Sequence, residues 1–133
     1  MKITITKTAS PKTKPNDSEL GFGKYFTDHM LISDYNEDEG WHDTRIVPFE
    51  NLSIHPASTV LHYGTEIFEG LKAYRRSDGK VQLFRPMENV RRLNNSAERL
   101  CLPQIPEEDS LQMLIEFVKC EQDWTPSSPG TSL

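Results

Sequence analysis

Arg91 and Arg92 stand side by side in Asn89-Val90-Arg91-Arg92-Leu93, where apolar residues recur at helical spacing. A guanidinium offers two parallel N–H donors to a phosphate dianion, which makes an arginine here a candidate anion ligand. The apolar stripe runs through Val90, Leu93 and Ala97, so Arg92 sits off its centre. By spacing alone, a pair of arginines is ordinarily a solvated helix face. Phe22, Tyr63 and Phe68 form a second set. Each lies close to a glycine, in Gly21-Phe22-Gly23, Tyr63-Gly64 and Phe68-Glu69-Gly70. Aromatics at such loop positions can wall an apolar pocket, although core packing is their commoner role.

Other chemistry has little support. His29, His42, His55 and His62 form no i, i+4 pair and no zinc-site spacing. Cys101 and Cys120, nineteen apart, fit neither a metal site nor a disulfide framework, and reduced thiols of a cytosolic protein are expected. No phosphate-cradling glycine loop, nucleophile elbow or His–carboxylate–nucleophile set is visible. The expectation is that this chain carries no catalytic residue and no metal ligand of its own.

The elements that position these residues can be read in order. Residues 1–20, rich in Lys, Thr, Pro and Ser, read as a flexible arm, with a brief Ile3/Ile5 alternation that could make a short strand. The ordered domain is expected over residues 21–133. Period-two alternation predicts a strand from Tyr25 to Tyr35, a turn at Asn36 to Gly40, and a second strand through Arg45–Phe49, where Pro48 marks an edge or an end. Residues 58–68 suit a helix or an extended loop equally. Leu71–Arg76 and Val81–Arg85 alternate around Ser77-Asp78-Gly79-Lys80, which predicts a hairpin with a type I′ turn.

Pro86 then opens a helix with Val90, Leu93, Ala97 and Leu100 on one face. A second helix should follow Pro106, with Leu111, Leu114, Ile115 and Val118 as its apolar stripe and Glu107, Glu108 and Asp109 at its N-terminus. Thr131-Ser132-Leu133 reads as the first residues of a further strand, which predicts that the sequence is a piece of a longer protein. Strands followed by helices give an α+β fold, a largely antiparallel sheet with helices packed on one side.

Composition narrows the partners. At 133 residues the chain is one domain or part of one, and long enough to bury a core. Its hydrophobic fraction is 35% and its mean hydropathy −0.61, polar for an autonomous domain. A net charge of −5 without a basic patch gives no electrostatic footprint for nucleic acid. No apolar run approaches membrane-spanning length, and no secretory or organelle leader is apparent, so a cytoplasmic location is expected.

Residues 61–75, Leu-His-Tyr-Gly-Thr-Glu-Ile-Phe-Glu-Gly-Leu-Lys-Ala-Tyr-Arg, resemble a central motif of the branched-chain amino acid aminotransferases. Gly21-Phe22-Gly23-Lys24-Tyr25-Phe26-Thr27-Asp28-His29-Met30-Leu31 is similar to the opening motif of that family. Leu83-Phe84-Arg85-Pro86, Asn89, Arg92-Leu93, Ser96-Ala97, Leu102-Pro103, Asp123-Trp124 and Pro126 continue the likeness in order. It runs from about residue 20 to Leu133.

The resemblance implies the fold type IV of pyridoxal 5′-phosphate enzymes, with this chain covering most of the small N-terminal domain, incomplete at its C-terminus. It implies transfer of the amino group of Leu, Ile or Val to 2-oxoglutarate, with branched-chain amino acids and 2-oxo acids as ligands and a homodimer as the assembly. By position, Arg92 would bind the cofactor phosphate, and Phe22, Tyr63 and Phe68 would wall the substrate pocket. The Schiff-base lysine and the acidic partner of the pyridine nitrogen have no counterpart here, and Lys72 is in the wrong place for the former. The chain alone is therefore expected to be inactive. The alternatives are a non-catalytic binding or assembly module of the same fold, or a fold type IV relative with other substrates.

Overall fold

Asn36 closes the first long hairpin with its own side chain: its Oδ1 accepts the Glu39 N–H at 2.7 Å. Gly40 takes φ +68°, a conformation nearly free only for glycine. In this computed structural model, which describes residues Met1–Leu133, the hairpin pairs β2 (His29–Asn36) antiparallel with β3 (Gly40–Pro48). The register slips between Ile32 and Asp34, where Asp43 and Thr44 oppose the single residue Ser33. Asp43 absorbs this bulge at φ +46°. β2 starts later and β3 earlier than the alternation predicts. Phe26 lies outside the ladder and stacks on Phe49 at 5.1 Å between centroids.

The arm supplies a third strand. β1 (Thr4–Ile5) adds to β3 in parallel, giving the sheet order β1-β3-β2. Beyond it, the arm is tied down by hydrogen bonds. Thr8 N–H donates to His29 Nε2 at 2.8 Å, Lys12 N–H to Asp28 Oδ1 at 2.7 Å, and the Ser127 and Ser128 N–H groups to Asp17 at 2.9 and 2.7 Å. The last two bonds hold the Asp17 carboxyl below its usual range, Ser128 contributing most.

Residues 59–63 form a short helix, α1 (Thr59–Tyr63), ended by Gly64 in the left-handed region; the segment after it has no regular secondary structure. The second hairpin joins β4 (Ala73–Arg75) to β5 (Val81–Leu83). Its turn differs from the expected type I′, which needs positive φ at Asp78 as well as Gly79. Only Gly79 has it (φ +82°), and its N–H donates to the Arg76 carbonyl, so Ser77 and Asp78 form an ordinary type I turn followed by a glycine bulge. Leu133 exchanges both backbone hydrogen bonds with Ala73, at 2.8 and 3.0 Å, on the other edge of β4.

α2 (Pro86–Arg99) starts at Pro86 and buries Val90 and Ala97 as the periodicity predicts, but Leu100 is left exposed at its end. Asn94 holds the connection ahead of α3 (Glu107–Cys120), donating to the Ile105 carbonyl and accepting the Ile105 N–H. The inward face of α3 is Ser110, Met113, Leu114 and Phe117; of the predicted stripe of Leu111, Leu114, Ile115 and Val118, Leu114 lies on this face and Ile115 is exposed. The face that meets α2 and β2 wins over the face with the most apolar residues. No helix is long and apolar enough to cross a membrane.

The architecture is α+β, with two small sheets and helices against them. Its core is thin. Only 11 of 133 residues are buried, and just five of those, Ile46, Ala73, Val90, Ala97 and Met113, are hydrophobic. The surface of 9672 Å² exceeds the roughly 7,100 Å² of a compact monomer of this mass. Large apolar side chains that nothing in this chain covers contribute to the excess, among them Phe22, Leu52, Leu61, Tyr63 and Phe68.

Candidate functional site

Arg91 and Arg92, adjacent in sequence, are about 100° apart around α2. Arg91 turns toward α3 and pairs with Glu88 and Glu107 at 3.2 and 3.3 Å. Arg92 turns toward the irregular segment after α1. Its Nε donates to Glu69 Oε2 at 2.6 Å, and its Nη2 pairs with Glu69 Oε1. Glu69 is held in turn by Asn89 Nδ2 at 3.1 Å and the Gly70 N–H at 2.8 Å, and Asn89 also donates to the Gly70 carbonyl.

The Arg92 guanidinium, aided by Asn89 and Gly70, lowers the Glu69 carboxyl to about pH 2 against a partial desolvation that opposes it. A depressed carboxylate stabilises the fold fully above the ordinary glutamate range and loses that contribution only as pH falls toward 2. The pair therefore persists through neutral and mildly acidic pH. Glu69 is 13% exposed and Arg92 68% exposed, so an ordered carboxylate anchors a solvent-facing cation. The Glu69 contact uses two of the guanidinium's five N–H donors and leaves Nη1 without a partner in the chain. Arg92 also lines a shallow hollow of about 340 Å³ with Ile67, Asn95, Ser96 and Arg99. An exposed guanidinium edge beside a second arginine fits a phosphate dianion.

The three aromatics are not core residues of this chain. Phe22 is fully exposed, Tyr63 84% and Phe68 93%. Nor do they share one pocket. Phe22 lines an open cleft of about 1210 Å³ with Tyr25, Leu71, Lys72, Trp124 and Leu133. Phe68 borders a separate apolar hollow of about 310 Å³ with Leu31, Val90, Leu93, Met113 and Phe117. Tyr63 lines none of these three spaces. Of these three spaces, the largest is thus not the one that holds Arg92. Because the rings contact so little here, Phe22→Ala and Phe68→Ala should each change the stability of the 133-residue chain by less than about 0.5 kcal/mol. A urea midpoint shift equivalent to more than 1 kcal/mol would show that they pack in solution.

Sequence reasoning missed Glu69 and Asn89. Glu69 sits beside a predicted pocket aromatic, but its partner lies 23 residues away and carries no local signal. It also missed a buried cluster at the end of α3. His29 Nδ1, a Cys120 sulfur and a Glu121 carboxylate oxygen lie within 4.8 Å of one another. His29 Nε2 accepts the Thr8 N–H, so the neutral ring carries its proton on Nδ1, where it meets Glu121 Oε1. A metal at Nδ1 would need the lone pair that this proton occupies. Burial and then Glu121 push the Cys120 thiol up, away from the thiolate a metal needs. The cluster is a clasp: Glu121 Oε2 also accepts the Asp28 N–H at 2.9 Å, and Asp28 Oδ2 accepts the Trp124 indole at 3.0 Å.

No family model matches the chain. Curated relatives do. Branched-chain-amino-acid transaminase 1 of Bacillus subtilis (strain 168) is 53% identical over 131 residues, which is 98% of this chain and 37% of the relative. The probable branched-chain-amino-acid aminotransferase of Staphylococcus aureus (strain N315) is 53% identical over 98% of this chain and 36% of its own length. The mitochondrial branched-chain-amino-acid aminotransferase of Bos taurus is 46% identical over 98% of this chain and 34% of its own length. The chain thus spans about a third of the length of the relatives it matches, and with about half of its residues identical across almost all of that span it belongs to the branched-chain-amino-acid aminotransferase family.

Proposed function

We propose that this chain forms part of a pyridoxal 5′-phosphate enzyme that transfers the amino group of Leu, Ile or Val to 2-oxoglutarate. The observation that carries the reading is 53% identity across 98% of the chain to a protein named a branched-chain-amino-acid transaminase. When bound, the cofactor supplies the electron sink for the chemistry at the amino acid's α-carbon.

The chain's own residues would bind and orient. Arg92 would hold the phosphate by its free guanidinium edge. Phe22, Tyr63 and Phe68 would wall the aliphatic part of the substrate once the rest of the protein closes over them. A branched side chain gains about 1.5–3 kcal/mol on leaving water for such a wall. The uncovered apolar surface between Phe49 and Phe84 suits burial against the remaining two-thirds of the protein or a second subunit of a homodimer. A cytoplasmic location suits its two free cysteines.

The reaction is tested with the intact protein by comparing leucine and D-alanine as amino donors to 2-oxoglutarate. Turnover of leucine is expected; turnover of D-alanine alone would replace this reading with another fold type IV activity. The 133-residue chain, given pyridoxal 5′-phosphate and borohydride, should acquire no stoichiometric pyridoxyl mass on any lysine, Lys72 included. A stoichiometric adduct would overturn the expectation that the covalent lysine lies outside this chain.

A further inference from the structure

We propose that Glu69 is the positioning residue for the phosphate grip of Arg92, with Asn89 and the Gly70 N–H holding Glu69 in place; this rests on the proposed role of Arg92 as the cofactor-phosphate ligand. An arginine that is 68% exposed has no packing to fix its long side chain. Its only tie beyond the helix is the fork to Glu69, made through Nε and Nη2. That fork uses the side edge of the planar group and leaves the end edge, Nη1 and the second Nη2 hydrogen, as a matching pair of donors for two phosphate oxygens. Glu69 itself cannot swing away freely. It is largely buried, two further donors satisfy it, and its carboxyl stays ionised at any working pH.

Two consequences of the carboxylate oppose each other. Its negative charge repels a phosphate, and its hydrogen bonds remove the side-chain disorder that binding would otherwise have to overcome. The guanidinium would lie between the two anions, each on a different edge, so its positive charge offsets much of their mutual repulsion. Screening therefore weakens the repulsion while the geometric constraint remains. The constraint is the larger effect.

The test uses the apo form of the intact protein and follows binding of pyridoxal 5′-phosphate and of unphosphorylated pyridoxal by fluorescence titration. Glu69→Gln keeps the side chain's size and removes the charge-assisted fork. It should raise the Kd for pyridoxal 5′-phosphate about tenfold, the scale of freeing one long side chain. It should leave the Kd for pyridoxal unchanged, and add nothing further in an Arg92→Ala background. An unchanged or tighter Kd, an equal weakening of pyridoxal, or a full effect persisting without Arg92 would each overturn the proposal. If Arg92→Ala alone leaves pyridoxal 5′-phosphate affinity intact, the phosphate role of Arg92 fails and the proposal falls with it. If Arg92→Ala weakens binding and Glu69→Gln does not, only the positioning role fails.

Discussion

Arg92→Ala in the intact protein should weaken pyridoxal 5′-phosphate binding by about ten- to a hundredfold, the effect of losing a charge-assisted, two-point hydrogen bond to an anion. Arg91→Ala is the control. Arg91 is engaged with Glu88 and Glu107, so its loss should leave cofactor affinity within about twofold, the range of a long-range charge screened by salt. Titration of the apoprotein at fixed ionic strength reads both. Equal losses in the two variants would mean a diffuse positive field rather than a specific fork, and no loss in either would remove the phosphate from this helix. Arg92 is solvent-facing, but its deletion leaves the Glu69 carboxylate with only Asn89 and the Gly70 N–H, so urea unfolding of the variant accompanies the titration and the affinity is read on the folded fraction.

His29→Ala should produce the largest stability loss of any single substitution proposed for this chain, about 3–5 kcal/mol, because it removes one member of a buried pair and strands the other. Glu121 is 2% exposed, and without the imidazole it keeps only the Asp28 N–H. The same change leaves the Thr8 N–H without its acceptor, so the arm should loosen together with the end of α3. Urea unfolding measures the first effect, and faster amide exchange at Thr8 the second. Glu121→Gln, which retains an oxygen for the ring proton, should lose less than His29→Ala. A loss below about 1 kcal/mol for His29→Ala would show that the clasp is dispensable. Glu121 is also the residue that ties β2 to α3 across 92 positions of sequence, which is why its deletion should be felt cooperatively rather than as local fraying.

The hairpins and the two long helices were legible from residues alone, because each depends on local regularities, while the family was legible only through the resemblance of its motifs. Asn36 and Gly40 fix a turn through their own side chain and φ. Pro86 starts a helix with its missing N–H, and Val90 and Ala97 keep the helical period whatever packs against them. The alternation around Ser77–Lys80 was equally plain, but the turn type depended on the φ of Asp78, which the Asp-Gly pair alone does not fix.

What the tertiary structure decided were choices among chemically similar residues. Two adjacent arginines look alike in sequence, yet one faces α3 and the other faces Glu69. α3 carries apolar residues on more than one face, and only its neighbours α2 and β2 selected Met113 and Phe117 over Ile115. Phe22, Tyr63 and Phe68 match a pocket motif by order, yet within this chain they stand apart on open surface. The physical reason is the same in each case. Backbone hydrogen bonding and steric preference act over a few residues and are written in the local sequence. Ion pairing, burial and pocket closure act between segments tens of residues apart and exist only once the chain, and whatever covers it, has folded.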